Sequence, residues 1–89
     1  MNKKNIISFL CKKYNKSTNS DERDSINSVV SDIVNFVESP NLSLEDMLRN
    51  KIISYKEIHL INYKKDSYIY LYFSYCISFY NLSLSLLSY

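Results

Sequence analysis

Tyr68-Ile69-Tyr70-Leu71-Tyr72-Phe73 is the stretch on which the fold turns. Aromatic residues alternate with mostly aliphatic ones, all of them β-prone, and a period of two predicts a strand. Just before it lies Lys64-Lys65-Asp66-Ser67, a polar turn, preceded by a second β-prone run, Ile58-His59-Leu60-Ile61-Asn62-Tyr63. Two such runs about a four-residue turn predict a hairpin. Leu82-Ser83-Leu84-Ser85-Leu86 alternates again, as a half-buried strand does. The alternative is one hydrophobic helix. Residues 68–89 carry no charged side chain over 22 positions, and a helix needs about 20 to span a bilayer. Six Tyr, five Ser and Asn81 make this segment less apolar than a typical span, which favours strands over an anchor.

Upstream the apolar period is 3.6. Ser43 and Asp46 form an S-x-x-D capping box, and Leu42 and Met47 have the spacing of a hydrophobic staple. Leu44, Met47, Leu48, Ile52 and Tyr55 continue one face to about residue 56. Ahead of this helix, 21–38 carries Ile26, Val29, Val30, Ile33, Val34 and Val37 at helical spacing. Its valines give it mediocre propensity, so burial of that stripe must stabilise it. Asp21, Glu22 and Asp24 suit its first turn, and Ser39-Pro40 ends it. Residues 4–14 form a first short helix with Ile7, Leu10, Cys11 and Tyr14 on one face.

The fold expected is therefore α+β: about three N-terminal helices followed by a C-terminal antiparallel hairpin or small sheet. An all-α fold with a C-terminal hydrophobic helix is the alternative. The 89 residues make one small domain, 1–89, with 68–89 as an uncharged aromatic, Ser- and Leu-rich tail. A chain this short buries only about 60–65 % of its unfolded surface, so it depends on tight packing or on a partner.

Net charge is +2, but it is unevenly placed. Residues 1–16 carry five Lys and no acid, 17–46 carry Arg23 against seven acids, and 47–67 carry five bases against two acids. Such segments either screen one another within the fold or face a charged partner. Cys11 and Cys76 are the only cysteines and read as free thiols of a reducing compartment. The apolar stretch Ile6–Cys11 is shorter than a signal-peptide core, so an intracellular location is expected. Lys, Asn, Ile and Tyr abound, as an AT-rich genome would produce, which discounts part of the Tyr content as functional evidence.

Glycine is absent. Dinucleotide-binding fingerprints, P-loops, nucleophile elbows and EF-hand loops all need glycine geometry, so none is present. His59 is the only histidine, and Cys11, Cys76 and His59 come from three separate segments, without the close spacing of zinc ligands. The carboxylate pairs Asp21/Glu22 and Glu45/Asp46 fall in first helical turns, where capping accounts for them. No catalytic, cofactor-binding or metal-ligating residue is assigned, and no cofactor is expected.

A non-enzymatic protein–protein interaction module is the reading these exclusions leave. Its candidate interface is Tyr68, Tyr70, Tyr72, Phe73, Tyr75, Phe79 and Tyr80, more aromatic surface than a thin core encloses. The partner is another protein or a second copy of the chain. A membrane-anchored protein with 68–89 as its anchor is one alternative. The other comes from element order: three helices, then a hairpin tipped by Lys64 and Lys65, resembles a winged-helix nucleic-acid-binding domain in arrangement alone. That resemblance implies anion contacts at Arg49, Lys51 and Lys56 on the third helix and at Lys64 and Lys65 on the wing. Glu45 and Asp46 at the start of that helix oppose it.

Overall fold

A computed structural model describes the backbone of residues 3–57 and 64–87, and the side chains of 3–54 and 67–80. Among the described residues four helices follow one another: α1 (Lys3–Lys16), α2 (Ser20–Asn35), α3 (Leu44–Glu57) and α4 (Lys64–Leu87). Among the described residues there is no strand beyond a single antiparallel bridge between Ser39 and Leu42. The fold is all-α, and the expected α+β arrangement is corrected accordingly.

The correction concerns α4. Lys64-Lys65-Asp66-Ser67 is its first turn and not a hairpin tip, and 68–73 and 82–86 are helical. The first run of the expected hairpin, 58–63, lies outside the described residues. The alternation in 68–73 pairs aromatic with aliphatic residues, so both of its faces are apolar and it carries no true apolar/polar period of two. The helical period runs through Ile69, Tyr72, Phe73, Cys76 and Ile77, spaced i, i+3, i+4, i+7 and i+8, and all five are buried. Ser67 and Ser78 fall on the outer face and are exposed. The Ser74 and Ser78 hydroxyls donate to the Tyr70 and Tyr75 carbonyls at 2.9 and 2.6 Å, which keeps these polar groups satisfied on the helix itself. A lone two-stranded hairpin is marginal in water, whereas a helix meets its backbone hydrogen bonds internally and needs only one face covered.

That face is covered by the rest of the chain. Both α2 and α3 pack along α4, α1 packs on α2, and α1 also touches α4. The core joins Ile6 and Leu10 of α1, Ile26, Val29 and Ile33 of α2, Leu44, Met47 and Leu48 of α3, and the α4 stripe. Each large side chain fully enclosed in this way contributes about 1.5–3 kcal/mol.

The helix ends show how a glycine-free chain turns. No described residue has a positive φ. Ser39-Pro40-Asn41-Leu42 closes a tight turn through Ser39 N–H to the Leu42 carbonyl at 3.1 Å and the reverse bond at 3.3 Å, with Pro40 at the position its fixed φ suits. The expected capping box is present. Ser43 Oγ accepts from the Asp46 N–H at 3.2 Å, and the Asp46 carboxylate accepts from the Ser43 N–H at 3.1 Å. The Ser43 N–H, with the Ser43 hydroxyl donating to the same carboxylate oxygen at 2.9 Å, holds the Asp46 carboxyl below the usual aspartate range. At the start of α2, Asn19 accepts from the Glu22 N–H at 3.1 Å.

One further boundary and one face differ from expectation. α2 ends at Asn35 because Phe36 leaves in an extended conformation, at φ −74° and ψ 130°. Val37 is consequently 82 % exposed and Val34 54 %, so only Ile26, Val29 and Ile33 of the expected stripe are buried, with Val30 partly so. On α1 the buried pair is Ile6 and Leu10, while Cys11 is exposed.

Helical and strand placements of 68–73 differ in one substitution pair. Residues 71 and 73 would share a face on a strand but lie on opposite sides of α4. Phe73→Ala is expected to lower the unfolding free energy by about 3–5 kcal/mol, while Leu71→Ala stays within about 0.5 kcal/mol of wild type. Urea denaturation checks this, and equal losses would contradict the helix.

Candidate functional site

The seven aromatic residues singled out in the tail do not form one surface. Phe73 is 0 % and Tyr72 4 % exposed, so both belong to the core. Tyr68, Tyr70, Phe79 and Tyr80 are half-buried, and Tyr75 is the exposed one, at 39 %. Burial raises the Tyr80 phenol above its ordinary range, and Glu38 and Glu45 add to the effect, which puts Tyr80 on the acidic side of the molecule. Tyr75 and Phe79 turn the other way, toward α1.

There they meet two residues that the sequence pattern did not single out. The Phe9 ring packs edge-to-face on Phe79 at 4.8 Å and on Tyr75 at 6.2 Å. Lys13, one turn further along α1, places its ammonium over the Phe9 and Tyr75 rings at 5.5 and 5.9 Å. Tyr72 and Tyr75 are also edge-to-face at 5.6 Å, which ties this cluster into the core. Leu71, one turn before Tyr75, is 36 % exposed and extends the apolar surface along α4. The sequence signal for Phe9 is the triplet Ile6, Phe9 and Leu10, an i, i+3, i+4 set of which the expected face of Ile7, Leu10, Cys11 and Tyr14 includes only Leu10.

Local contacts hold α1 in the orientation this cluster needs. Its first turn is tied to the end of α2, where Lys3 Nζ donates to the Phe36 carbonyl and lies over the Phe36 ring at 5.8 Å. Its last turn is tied to the start of α2. There Arg23 Nε donates to the Ser17 carbonyl at 2.8 Å, and the guanidinium stacks on Tyr14 at 4.9 Å. The buried Ser17 hydroxyl accepts from the Asn19 N–H at 3.3 Å, completing the corner.

Of the residues suggested as anion contacts, the two with described side chains are each paired with an acid. Arg49 bonds to Glu45 at 2.9 Å one turn away on α3, and Lys51 pairs with Asp32 of α2 at 3.7 Å. Lys64 and Lys65 start α4, so there is no wing, and the winged-helix arrangement falls with the hairpin. The side chains of Lys56, Lys64 and Lys65 lie outside those described.

Among the described residues no group of three His, Cys, Asp or Glu side chains converges as metal ligands. His59, and with it any Cys–His pair, lies outside the described residues. Cys11 and Cys76 are both free thiols. Cys76 is enclosed, and burial pushes its thiol up to about 12, away from the thiolate that nucleophilic chemistry requires. No described helix is long and apolar enough to cross a membrane, α4 included. Comparison with protein-family models, with curated proteins and with solved structures gives no match.

Tyr72 gives the cluster a measurable signature. Burial, with the negative charge of Glu22 adding to it, raises its phenol from 10.0 to about 12. A folded-state value above the unfolded one means that this contribution is complete below about pH 10 and is lost as pH rises through about 12. Tyr72→Phe keeps the ring and is expected to flatten the loss of stability across that window, with Cys76 and Tyr80 supplying the slope that remains. An unchanged slope would place the Tyr72 hydroxyl in solvent.

Proposed function

We propose that the protein is a small, non-enzymatic, all-helical interaction module that binds another protein through the surface where α1 meets α4. The observation that carries this reading is the cluster of Phe9, Tyr75, Phe79 and Lys13, with Leu71 beside it. Tyr75 and Leu71 keep more than a third of their surfaces exposed although they adjoin the core. An exposed tyrosine held rigid by edge-to-face neighbours presents large contact area at low entropic cost, which is what interface anchors require. The lysine at the edge of the rings adds a directional charge.

Site-specific photo-crosslinking in the cells that express the protein tests the reading. A photoreactive residue replaces Ser78, exposed on α4 close to Tyr75, or Asn50, exposed on α3. A discrete crosslinked species is expected from position 78 and not from position 50. Leu71→Lys with Tyr75→Lys should remove it while the helical circular dichroism stays near wild type. A crosslink of twice the chain mass would identify a second copy as the partner protein. No crosslink from position 78, or equal crosslinking from both positions, would overturn the reading.

A further inference from the structure

We infer that the partner presents an acidic amphipathic segment, its apolar side on Tyr75 and Leu71 and its carboxylates against Lys12, Lys13 and Lys16. This rests on the α1/α4 surface being the interaction site and specifies what it recognises.

Charge segregation between the helices carries the inference. α1 has five lysines and no acid, and residues 67–80 of α4 have no charged side chain. Phe9, Lys12, Lys13 and Lys16 are spaced i, i+3, i+4 and i+7, the spacing of a single helix face. That face joins α4 through the Phe9–Phe79 and Phe9–Tyr75 contacts. Lys12 and Lys16 are exposed, and Lys13 is pinned over the rings. An apolar strip is thus bordered by a row of cations from Lys12 to Lys16, over about 6 Å or one turn of helix. The described acids lie elsewhere, on α2, the turn after it and α3. Of these, Glu22 in the first turn of α2 acts on the Tyr72 phenol.

The same geometry disfavours other anionic partners. Base stacking on single-stranded nucleic acid needs free aromatic faces, but here the rings pack against one another and carry the Lys13 ammonium. An interfacial membrane helix inserts its own apolar side, but Ile6 and Leu10 are wholly enclosed in the core. Polybasic recognition of anionic lipid also uses about four to eight basic residues together, and this face holds three.

Fluorescence anisotropy on the full chain tests the inference with two synthetic 15-residue peptides. Both carry Leu at i, i+3, i+4 and i+7, and one has Glu and the other Ser at the flanking positions. The Glu peptide is expected to bind about tenfold tighter at low salt, with the advantage fading at high salt. Lys12→Glu with Lys16→Glu should remove that preference, and Lys12→Arg with Lys16→Arg should keep it. Equal binding of both peptides would overturn the acidic assignment, and so would binding of neither. Preference for phosphatidylserine vesicles or for a single-stranded oligonucleotide over the Glu peptide would overturn it as well. The crosslink from position 78 reports separately on whether the surface binds a protein at all, so the two failures are distinguishable.

Discussion

Phe73 and Cys76 are completely enclosed on α4, and the three other helices all pack against that helix. None of those three has a strong reason to form alone. α2 is rich in β-branched valine, α1 is short and heavily cationic, and α3 relies on its cap. Each is stabilised by covering part of the α4 stripe or its neighbours. A chain of 89 residues has little interior to distribute, so one long helix with a buried face serves as a common partner and spares each short helix from needing its own.

The absence of glycine shapes the described connections between the helices. A left-handed residue after a helix usually lets the chain reverse direction, and no described residue takes that conformation. The chain uses side-chain caps and extended exits instead. Asn19 caps α2, the Ser43–Asp46 box starts α3, and Phe36 leaves α2 directly into extended backbone with its N–H still bonded to the Ile33 carbonyl at 3.4 Å. The exit through Phe36 exposes Val37 to solvent and brings the Phe36 carbonyl to Lys3, which anchors the start of α1.

Where the sequence is locally decisive it was legible. The capping box names the start of α3 because its two hydrogen bonds involve residues three apart and no tertiary partner. The core of α2 follows from Ile26, Val29 and Ile33, whose period has one interpretation. α4 was misread because β-branched and aromatic residues favour strands only when a sheet is available to receive them, and local propensity yields to tertiary packing. The stripe from Ile69 to Ile77 was present in the sequence, hidden by an alternation in which every position is apolar. The end of α2 was placed too late because Pro40 marks where a helix must stop, not where it does stop. The surface proposed for interaction was half legible. Tyr75 and Phe79 were singled out for their chemistry, but Phe9 and Lys13 join them only through the packing of α1, and Tyr72 and Phe73 turned out to be core.

This division of the aromatic residues changes what the tail represents. Its unusual composition serves first to build a thick apolar helix that a small protein can pack around, and of its described large apolar side chains only Leu71 and Tyr75 stay exposed. The helicity of 68–80 therefore underlies both the core and the surface. Backbone chemical shifts and sequential amide contacts across Tyr68–Tyr80, measured by NMR, test it most directly. The account predicts uninterrupted helical Cα shifts and consecutive amide–amide contacts, with the slowest-exchanging amides around Phe73 and Cys76. Strand-type shifts with cross-strand contacts to residues before 64 would contradict it.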